Sequence, residues 1–361
     1  MGHCARVAPG DLVAIVAEPA CTEGVEAVFE AVLKSGAHPS FHPRAERLQQ
    51  ITLMHANDDQ VRHVCPFEEF RLARCDALIV LRSTQNSRFL GGLDSTKAAM
   101  MQAARRGLVA GSMRRSAAGA LKYVLTELPS SAAAQDAAMS LTQYTDHLFR
   151  AGFLHLPDPI GAWRSLHERQ ERLCHFLQSA RTLRFRSPLA GGTDVSVDVS
   201  GRMWVNCAAG QNFPDGEVFS GPCSVDGVVS FSYPAIYRGR EVDGIRIRFK
   251  GGRAVDATAT KNEEYLHHLL AQDAGASVVG EVGIGTNFQL SEFCNNTFLD
   301  EKIGGTFHLA LGAGYPETGN KNESGLHWDL VTDLRQGGTI DADGAAIQRN
   351  GRFTDAEWPQ V

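Results

Sequence analysis

Two histidines and an aspartate stand in apolar, strand-like segments of the last sixty residues of the chain. His308 lies within FHLAL (307–311), and His327 and Asp329 lie two residues apart within LHWDL (326–330). A buried polar side chain without a hydrogen-bond partner costs about 1–3 kcal/mol. These three side chains are therefore expected either to pair with other polar groups or to bind a ligand.

The spacing of His327 and Asp329 places both side chains on the same face of a strand, roughly 6–7 Å apart along it. Neutral imidazole together with carboxylate is a common ligand set for zinc, cobalt, manganese and iron. The same spacing also fits a buried structural ion pair. Metal binding and ion pairing both remain open from this pair alone.

Three further polar side chains stand in glycine-rich segments. Glu217 lies in NFPDGEVFSGP, Glu281 in GEVGIGTNFQL, and Tyr315 follows LDEKIGGTFHLALG. Taken singly, Glu217 is typical of a turn residue and His308 of a core histidine. Glu217, Glu281 and His308 make five potential ligands together with the HxD pair, more than the three that a catalytic zinc needs. The three carboxylates favour a two-metal site, because a carboxylate can bridge two cations.

The first half of the sequence alternates strand and helix patterns. It predicts strands at 10–19, 75–83 and 107–113, a helix at 25–39, and a mostly helical stretch at 134–185. Strands that alternate with helices are typical of a parallel sheet covered on both faces.

The second half has shorter strands and glycine-rich turns. It predicts hairpins at 193–206 and 339–353 and one helix at 262–272. We therefore expect an α+β chain of two domains. The N-terminal α/β domain, with a mostly parallel sheet, covers 1–185, and the C-terminal, mainly antiparallel β domain, which carries the metal site, covers 186–361.

Composition excludes several classes of function. The net charge of −6 gives no electrostatic footprint for nucleic acid, and no segment approaches the length of a membrane span. The sequence contains neither GxGxxG nor a Walker loop, so nucleotide binding has no support. Eight cysteines without a CxxC pair favour reduced thiols and a cytoplasmic location.

The segments FPDGEVFSGP, GEVGIGTN, LDEKIGGTFHLALG, the following GYP, and SGLHWDL resemble the thermophilic-type metalloaminopeptidases, a family that includes the aminopeptidase T and aminopeptidase S types. TDVSVDVSGRMWVN is also similar to that family. The resemblance implies a leucyl aminopeptidase-like enzyme with two divalent ions per chain (zinc, cobalt or manganese), and a homodimer whose subunits enclose the active sites. The ligands that it implies are Glu217, Glu281, His308, His327 and Asp329, with Tyr315 close by.

The expected reaction is hydrolysis of the N-terminal peptide bond of a peptide by a metal-bound hydroxide at a dinuclear site. One ion would supply the hydroxide, and the other would take the substrate's α-amine and polarise the scissile carbonyl. Tyr315 would donate a hydrogen bond to the oxyanion, and Glu281 would be both a ligand and a catalytic residue. Glu301 and Lys302 are further candidates for moving a proton or holding the substrate, and helix-cap roles for them stay open.

Two other enzyme classes remain open. A ring-cleaving dioxygenase, of the 2,5-dihydroxypyridine 5,6-dioxygenase type, would use one Fe(II) held by two histidines and one carboxylate. That site would leave Glu217 or Glu281 without a role. A metal-dependent hydrolase of a small-molecule amide would use the same ligands as the peptidase.

Overall fold

The computed structural model describes residues 1–360, and the chain forms two compact units. The first unit contains Met1–Leu148 and Ala209–Pro214, and the second contains Phe149–Ala208 and the chain from Asp215 onward. A compact unit is defined by spatial contacts and not by independent folding. The division into domains at residues 185 and 186 therefore stays a prediction.

The first unit contains a five-stranded parallel sheet, which confirms the mostly parallel sheet that the sequence predicts. Its strand order is β2-β1-β3-β4-β8, and every pair of neighbours is parallel. The strands are β1 (Leu12–Ala17), β2 (His38–Pro43), β3 (Ala77–Arg82), β4 (Lys122–Glu127) and β8 (Asn212–Phe213).

Eight helices alternate with these strands or follow them along the chain. They are α1 (Thr22–Lys34), α2 (Glu46–His55), α3 (Asp58–Arg62), α4 (Pro66–Arg74), α5 (Ser95–Ala104), α6 (Arg106–Ala117), α7 (Ser131–Asp136) and α8 (Leu141–Ala151). The predicted strand at 107–113 is wrong, because GLVAGSM lies within α6 and the next strand of the sheet is β4. A short apolar run has no periodicity that separates a buried strand from a helix.

The second unit contains an eight-stranded antiparallel sheet in the order β14-β13-β10-β6-β5-β18-β19-β20. Its strands are β5 (Thr182–Ser187), β6 (Thr193–Asp198), β10 (Ser224–Ser230), β13 (Arg246–Lys250), β14 (Arg253–Thr258), β18 (Thr339–Ala342), β19 (Ala345–Arg349) and β20 (Arg352–Phe353). Strands β18 and β19 pair across Asp343 and Gly344, as the predicted hairpin at 339–353 requires.

A second antiparallel sheet of this unit, the site sheet, has the order β17-β16-β15-β9-β7. Its strands are β7 (Val205–Cys207), β9 (Glu217–Ser220), β15 (Val279–Gly285), β16 (Thr306–Gly312) and β17 (His327–Asp333). The predicted hairpin at 193–206 is wrong, because β6 pairs with β5 and β10 whereas β7 pairs with β9. Both segments are strands, but they belong to different sheets.

The remaining elements of the second unit connect its sheets. They are α9 (Pro159–Leu177), α10 (Glu263–Leu270), α11 (Thr297–Asp300), and the paired strands β11 (Ala235–Tyr237) and β12 (Arg240–Val242). Helix α10 confirms the helix predicted at 262–272. Among the described residues, none of the helices combines the length and the apolar character that a membrane crossing needs.

One face of the site sheet packs into the main hydrophobic core of the second unit. Phe307, Leu309 and Leu311 of β16 are fully buried there, and Phe307 stacks on Phe185 of β5 with ring centroids 4.2 Å apart. Side chains alternate between the two faces of a strand. The other face of the site sheet therefore carries the intervening residues, and these include the polar side chains singled out in the sequence.

Candidate metal centre

Four adjacent strands of the site sheet carry the five predicted ligands. Asp329 and His327 lie on β17, His308 on β16, Glu281 on β15, and Glu217 is the first residue of β9. All five project from the face opposite the apolar core, since their sequence neighbours, such as Leu330 and Leu309, are core residues. The structure thus brings together residues that lie up to about a hundred positions apart in the chain.

The register of the strands places the ligands in neighbouring rows. Asp329 pairs with Ala310, and Ala310 pairs with Glu281, so the small Ala310 side chain lies between two carboxylates. One step along the same face, His308 pairs with Gly283. A larger side chain at either intervening position would fill the space in which the polar groups meet.

A β-bulge aims Glu281 at the site. The register of β15 against β16 shifts between Val279, which pairs with Leu311, and Glu281, which pairs with Ala310. In a regular strand, residues 279 and 281 would point to the same face. The bulge, at Gly280, puts Val279 in the apolar core and Glu281 on the ligand face.

Gly283 makes room for the imidazole of His308. A Cβ atom at this position would lie 2.2 Å from both Cε1 and Nε2 of the ring. The ring therefore lies over the backbone of β15 and extends towards the glutamate of β9. The glycine at position 283 of the GEVGIGTN segment is therefore explained by the space that the His308 ring needs.

The side-chain distances form two groups that share Glu281. His308 Nε2 lies 3.2 Å from Glu281 Oε1 and 3.3 Å from Glu217 Oε2. His327 Nε2 lies 3.8 Å from Glu281 Oε2 and 3.4 Å from Asp329 Oδ2. Each oxygen of Glu281 thus faces a different histidine. Glu217, Glu281 and His308 make one group, and Glu281, His327 and Asp329 make the other.

These groups have the dimensions and the chemistry of cation sites. Donor atoms about 2.0–2.2 Å from a tetrahedral ion lie roughly 3.3–3.6 Å from one another, close to the separations measured here. Asp329 Oδ1, Glu217 Oε2 and His308 Nδ1 are buried and have no hydrogen-bond partner. Imidazole and carboxylate donors with unsatisfied buried atoms fit divalent cations. His327 Nδ1 bonds the Ala313 carbonyl at 2.9 Å, which leaves Nε2 directed to the site.

The pKa values of the predicted ligands indicate a cluster of carboxylates with too little positive charge nearby. Burial raises the pKa of Glu217 to about 8 and that of Asp329 to about 6. Burial alone would lower the pKa of both histidines, but the neighbouring carboxylates outweigh it. The hydrogen bond to Glu281 and the charge of Glu217 raise the pKa of His308 to about 10, and Asp329 and Glu281 raise that of His327 to about 9. Protons therefore supply the charge that cations would supply.

Tyr315 borders the cluster, as the sequence predicts. Its ring packs at 5.2 Å from the ring of Phe219 and edge-on at 5.3 Å from that of His327. Burial, together with the charges of Glu281 and Asp329, raises the pKa of its phenol well above the usual value. The phenol therefore keeps its proton at neutral pH and can donate a hydrogen bond.

Glu301 and Lys302 lie beside the cluster. The Lys302 ammonium is fully buried, 3.2 Å from Glu217 Oε1, and forms an ion pair with Glu301. Burial raises the pKa of Glu301, but the charge of Lys302 outweighs it, so that the net shift is downward. Two residues that sequence reasoning missed, Asp215 and Cys207, form a third group with Glu217. Asp215 stands in the quoted PDGE segment, but nothing in the sequence around Cys207 indicates its place.

Comparison with known proteins assigns the chain to a family. The model of the thermophilic metalloprotease (M29) family matches residues 1–353. Aminopeptidase T of Thermus aquaticus is 31% identical over 246 residues, which are 57% of each chain. Aminopeptidase 2 of Geobacillus stearothermophilus is 34% identical over 186 residues, 47% of this chain and 44% of that protein. The chain spans about half the length of the curated relatives it matches.

The fold extends this similarity to the whole chain. The structure titled wild-type AmpT from Thermus thermophilus superposes with a TM-score of 0.84, covering 98% of this chain and 97% of that one. The sequence identity is 23%. This likeness therefore concerns the fold, and confirms a parallel sheet in the N-terminal half and antiparallel sheets in the C-terminal half.

Proposed function

Because this chain belongs to the thermophilic metalloprotease (M29) family, we propose that it is a metal-dependent aminopeptidase. Its substrate would be a peptide, from which it removes the N-terminal residue, as the names of its relatives indicate for those proteins. The site would hold two divalent ions. The proposal rests on one observation above all: the two oxygens of Glu281 face two different histidines.

The proposed ligands divide between the two ions. Glu217 and His308 would hold one, Asp329 and His327 the other, and Glu281 would bridge them. When bound, such ions lower the pKa of water and polarise a carbonyl group. Zinc, cobalt and manganese all accept this set of nitrogen and oxygen donors.

The remaining side chains would handle protons and charge. The Tyr315 hydroxyl, which is protonated at neutral pH, would donate a hydrogen bond to the oxyanion of the tetrahedral intermediate. Glu301, which the charge of Lys302 keeps ionised, would accept a proton from the attacking water at a carboxylate oxygen and pass it to the leaving amine. Lys302 would hold Glu301 in place through their ion pair.

A homodimer and a cytoplasmic location are further parts of the proposal. Four cysteines, Cys21, Cys75, Cys174 and Cys294, are buried, which fits thiols kept reduced. The dimer rests on what the sequence resemblance implies and on the prevalence of two-fold homodimers among soluble oligomers.

The test is a count of ions in a matched series of variants. The protein is stripped with chelator, reloaded with Zn(II), Co(II), Mn(II) or anaerobic Fe(II), and assayed with leucine p-nitroanilide and short peptides. We expect two ions in the unsubstituted protein, one in Glu217→Gln and in Asp329→Asn, and loss of both from Glu281→Gln. Glu264→Gln, an exposed helix position, is the control and should keep two ions and full activity.

Three outcomes would overturn parts of the proposal. One iron per chain, with oxygen uptake on a dihydroxypyridine and no peptide cleavage, would replace it by the dioxygenase. Two ions without cleavage of any peptide would keep the metal centre and require a small-molecule amide as the substrate. Equal ion counts in all three ligand variants would remove the bridging role of Glu281.

A further inference from the structure

A lysine is buried inside the candidate metal centre. Lys302 follows α11 and has no exposed surface, and its ammonium lies 3.2 Å from Glu217 Oε1 and forms an ion pair with Glu301. It also lies 5.2 Å from the centre of the Phe298 ring. The removal of an ammonium ion from water costs several kcal/mol, which only close anionic partners offset. A fully buried lysine therefore indicates a place where the fold needs positive charge.

That place coincides with a third group of potential ligands. Donor atoms of Cys207, Asp215 and Glu217 all lie within 4.8 Å of one another. Cys207 and Glu217 are cross-strand partners on β7 and β9, and Asp215 precedes Glu217 by two residues. Gln170 of α9 ties the two strands together, since its side-chain amide donates to the carbonyls of Cys207 at 3.0 Å and of Glu217 at 2.7 Å.

The ammonium meets this third group at Glu217. It lies 3.2 Å from Glu217 Oε1, and the donor atoms of Cys207 and Asp215 lie within 4.8 Å of that of Glu217. A thiol with two carboxylates is a ligand set for thiophilic divalent ions such as Cd(II) and Zn(II). The lysine supplies a positive charge beside the Glu217 carboxylate, which belongs both to this group and to the proposed two-metal centre.

The formal charges of the side chains around the centre also favour two metal ions rather than three. The carboxylates around the centre are those of Asp215, Glu217, Glu281 and Asp329, which are buried, and of Glu301, which is partly exposed. When all five are ionised, as ion binding requires, they carry five negative charges, and Lys302 reduces the sum to four. Two divalent ions neutralise four charges, whereas without the lysine the centre would keep one negative charge unbalanced in a buried site.

We infer that Lys302 is a built-in cation that occupies the group formed by Cys207, Asp215 and Glu217 and so limits the centre to two metal ions. This inference rests on the proposed dinuclear site. Lys302 is in this view a positioning residue, since it acts through Glu217 and Glu301 and not on substrate. Its replacement by an uncharged side chain of similar length would open a third cation site in which Cys207 is a ligand.

The experiment counts cadmium ions and detects a cadmium–thiolate bond. The background carries Cys65→Ser and Cys223→Ser, which remove the two exposed thiols. Metal-free full-length protein is equilibrated with CdCl2, and bound ions are counted by native mass spectrometry while the ultraviolet charge-transfer band of cadmium thiolate is recorded. We expect two ions in the background protein, and three ions with a gain of this band in Lys302→Met. Cys207→Ser in addition should abolish the gain.

Lys261→Met is the matched control, because Lys261 pairs with Glu241 at 2.7 Å on the surface of the same unit. It should bind two ions without a gain in the band. If Lys302→Met does not fold, Lys302→Met with Glu301→Gln removes one charge of each sign and keeps Cys207, Asp215 and Glu217. The same third ion and the same band are expected from it.

The outcomes separate the inference from the function on which it rests. Folded Lys302→Met, or the double variant, with two ions and no new thiolate band would overturn the inference and leave the dinuclear site intact. Fewer than two ions in the background protein would overturn the proposed dinuclear site itself. A merely structural lysine would change stability but would not create a cadmium–thiolate bond at Cys207.

Discussion

Replacing Gly283 by alanine would displace a ligand without removing any ligand atom. The new Cβ would lie 2.2 Å from Cε1 and Nε2 of His308, whereas carbon atoms in contact lie about 3.5 Å apart. The ring would therefore have to move by about 1.3 Å. Metal–ligand distances tolerate about 0.2 Å, so the ring cannot stay in place for coordination. Gly283 does not have a positive φ, and alanine fits its backbone.

Two quantities should change in this variant. Overpacking of the buried sheet lowers the free energy of unfolding of the metal-free protein by about 1–3 kcal/mol. The affinity for the ion near His308 should fall about 10–100-fold, the usual effect of disturbing the support of a ligand. Urea unfolding of the metal-free protein measures the first quantity, and competition with a fluorescent zinc chelator measures the second.

Gly338→Ala is the control for strain alone. Its Cβ would meet Leu334 Cα at 2.5 Å and the Leu334 carbonyl oxygen at 2.7 Å, in the turn between β17 and β18 and away from the ligands. It should lose stability and keep both ions at unchanged affinity. If Gly283→Ala binds both ions as tightly as the unsubstituted protein, the argument that the glycine positions His308 is refuted.

The other predictions concern pH and the tyrosine. Since the pKa values of Asp329, Glu217, His327 and His308 are all raised, to about 6, 8, 9 and 10, the folded metal-free protein binds more protons than the unfolded chain from about pH 4 to pH 10. The free energy of unfolding of the metal-free protein should therefore fall as pH rises. The gain in Tm on adding zinc should grow between pH 6 and 9, because zinc binds the deprotonated ligands. A gain in Tm that does not change with pH would contradict the ligand assignment. Tyr315→Phe should lower kcat about 10²–10³-fold with KM and ion count nearly unchanged, and an unchanged kcat would exclude the phenol as oxyanion donor.

Local patterns in the sequence predict the local parts of the site. The HxD spacing correctly places His327 and Asp329 on one face of β17, and the pattern of segment 339–353 correctly predicts the hairpin of β18 and β19. Both features depend on residues that are neighbours in the chain, where side-chain period and turn chemistry decide the outcome. The presence of strands around Glu217, Glu281 and His308 follows from the same patterns.

The non-local parts could not be derived in this way. That β7 pairs with β9 and not with β6 depends on packing between sheets, which leaves no signal in residues 193–206. The proximity of Cys207 to Glu217 follows from this pairing and was missed for that reason. The bulge before Glu281 likewise decides on which face of β15 the carboxylate lies. The alternation of polar and apolar residues in the sequence does not indicate such a one-residue shift in register.

The order of strands in the site sheet also has a kinetic consequence. Glu217 and Asp329 belong to β9 and β17, and two further strands, β15 and β16, must be in place before their groups share a centre. Contacts between distant parts of a chain form late, because closing long loops costs entropy first. Cations that bind only the completed sheet stabilise the native state and not the folding transition state. Metal binding should therefore lower the unfolding rate of this chain and leave its folding rate nearly unchanged.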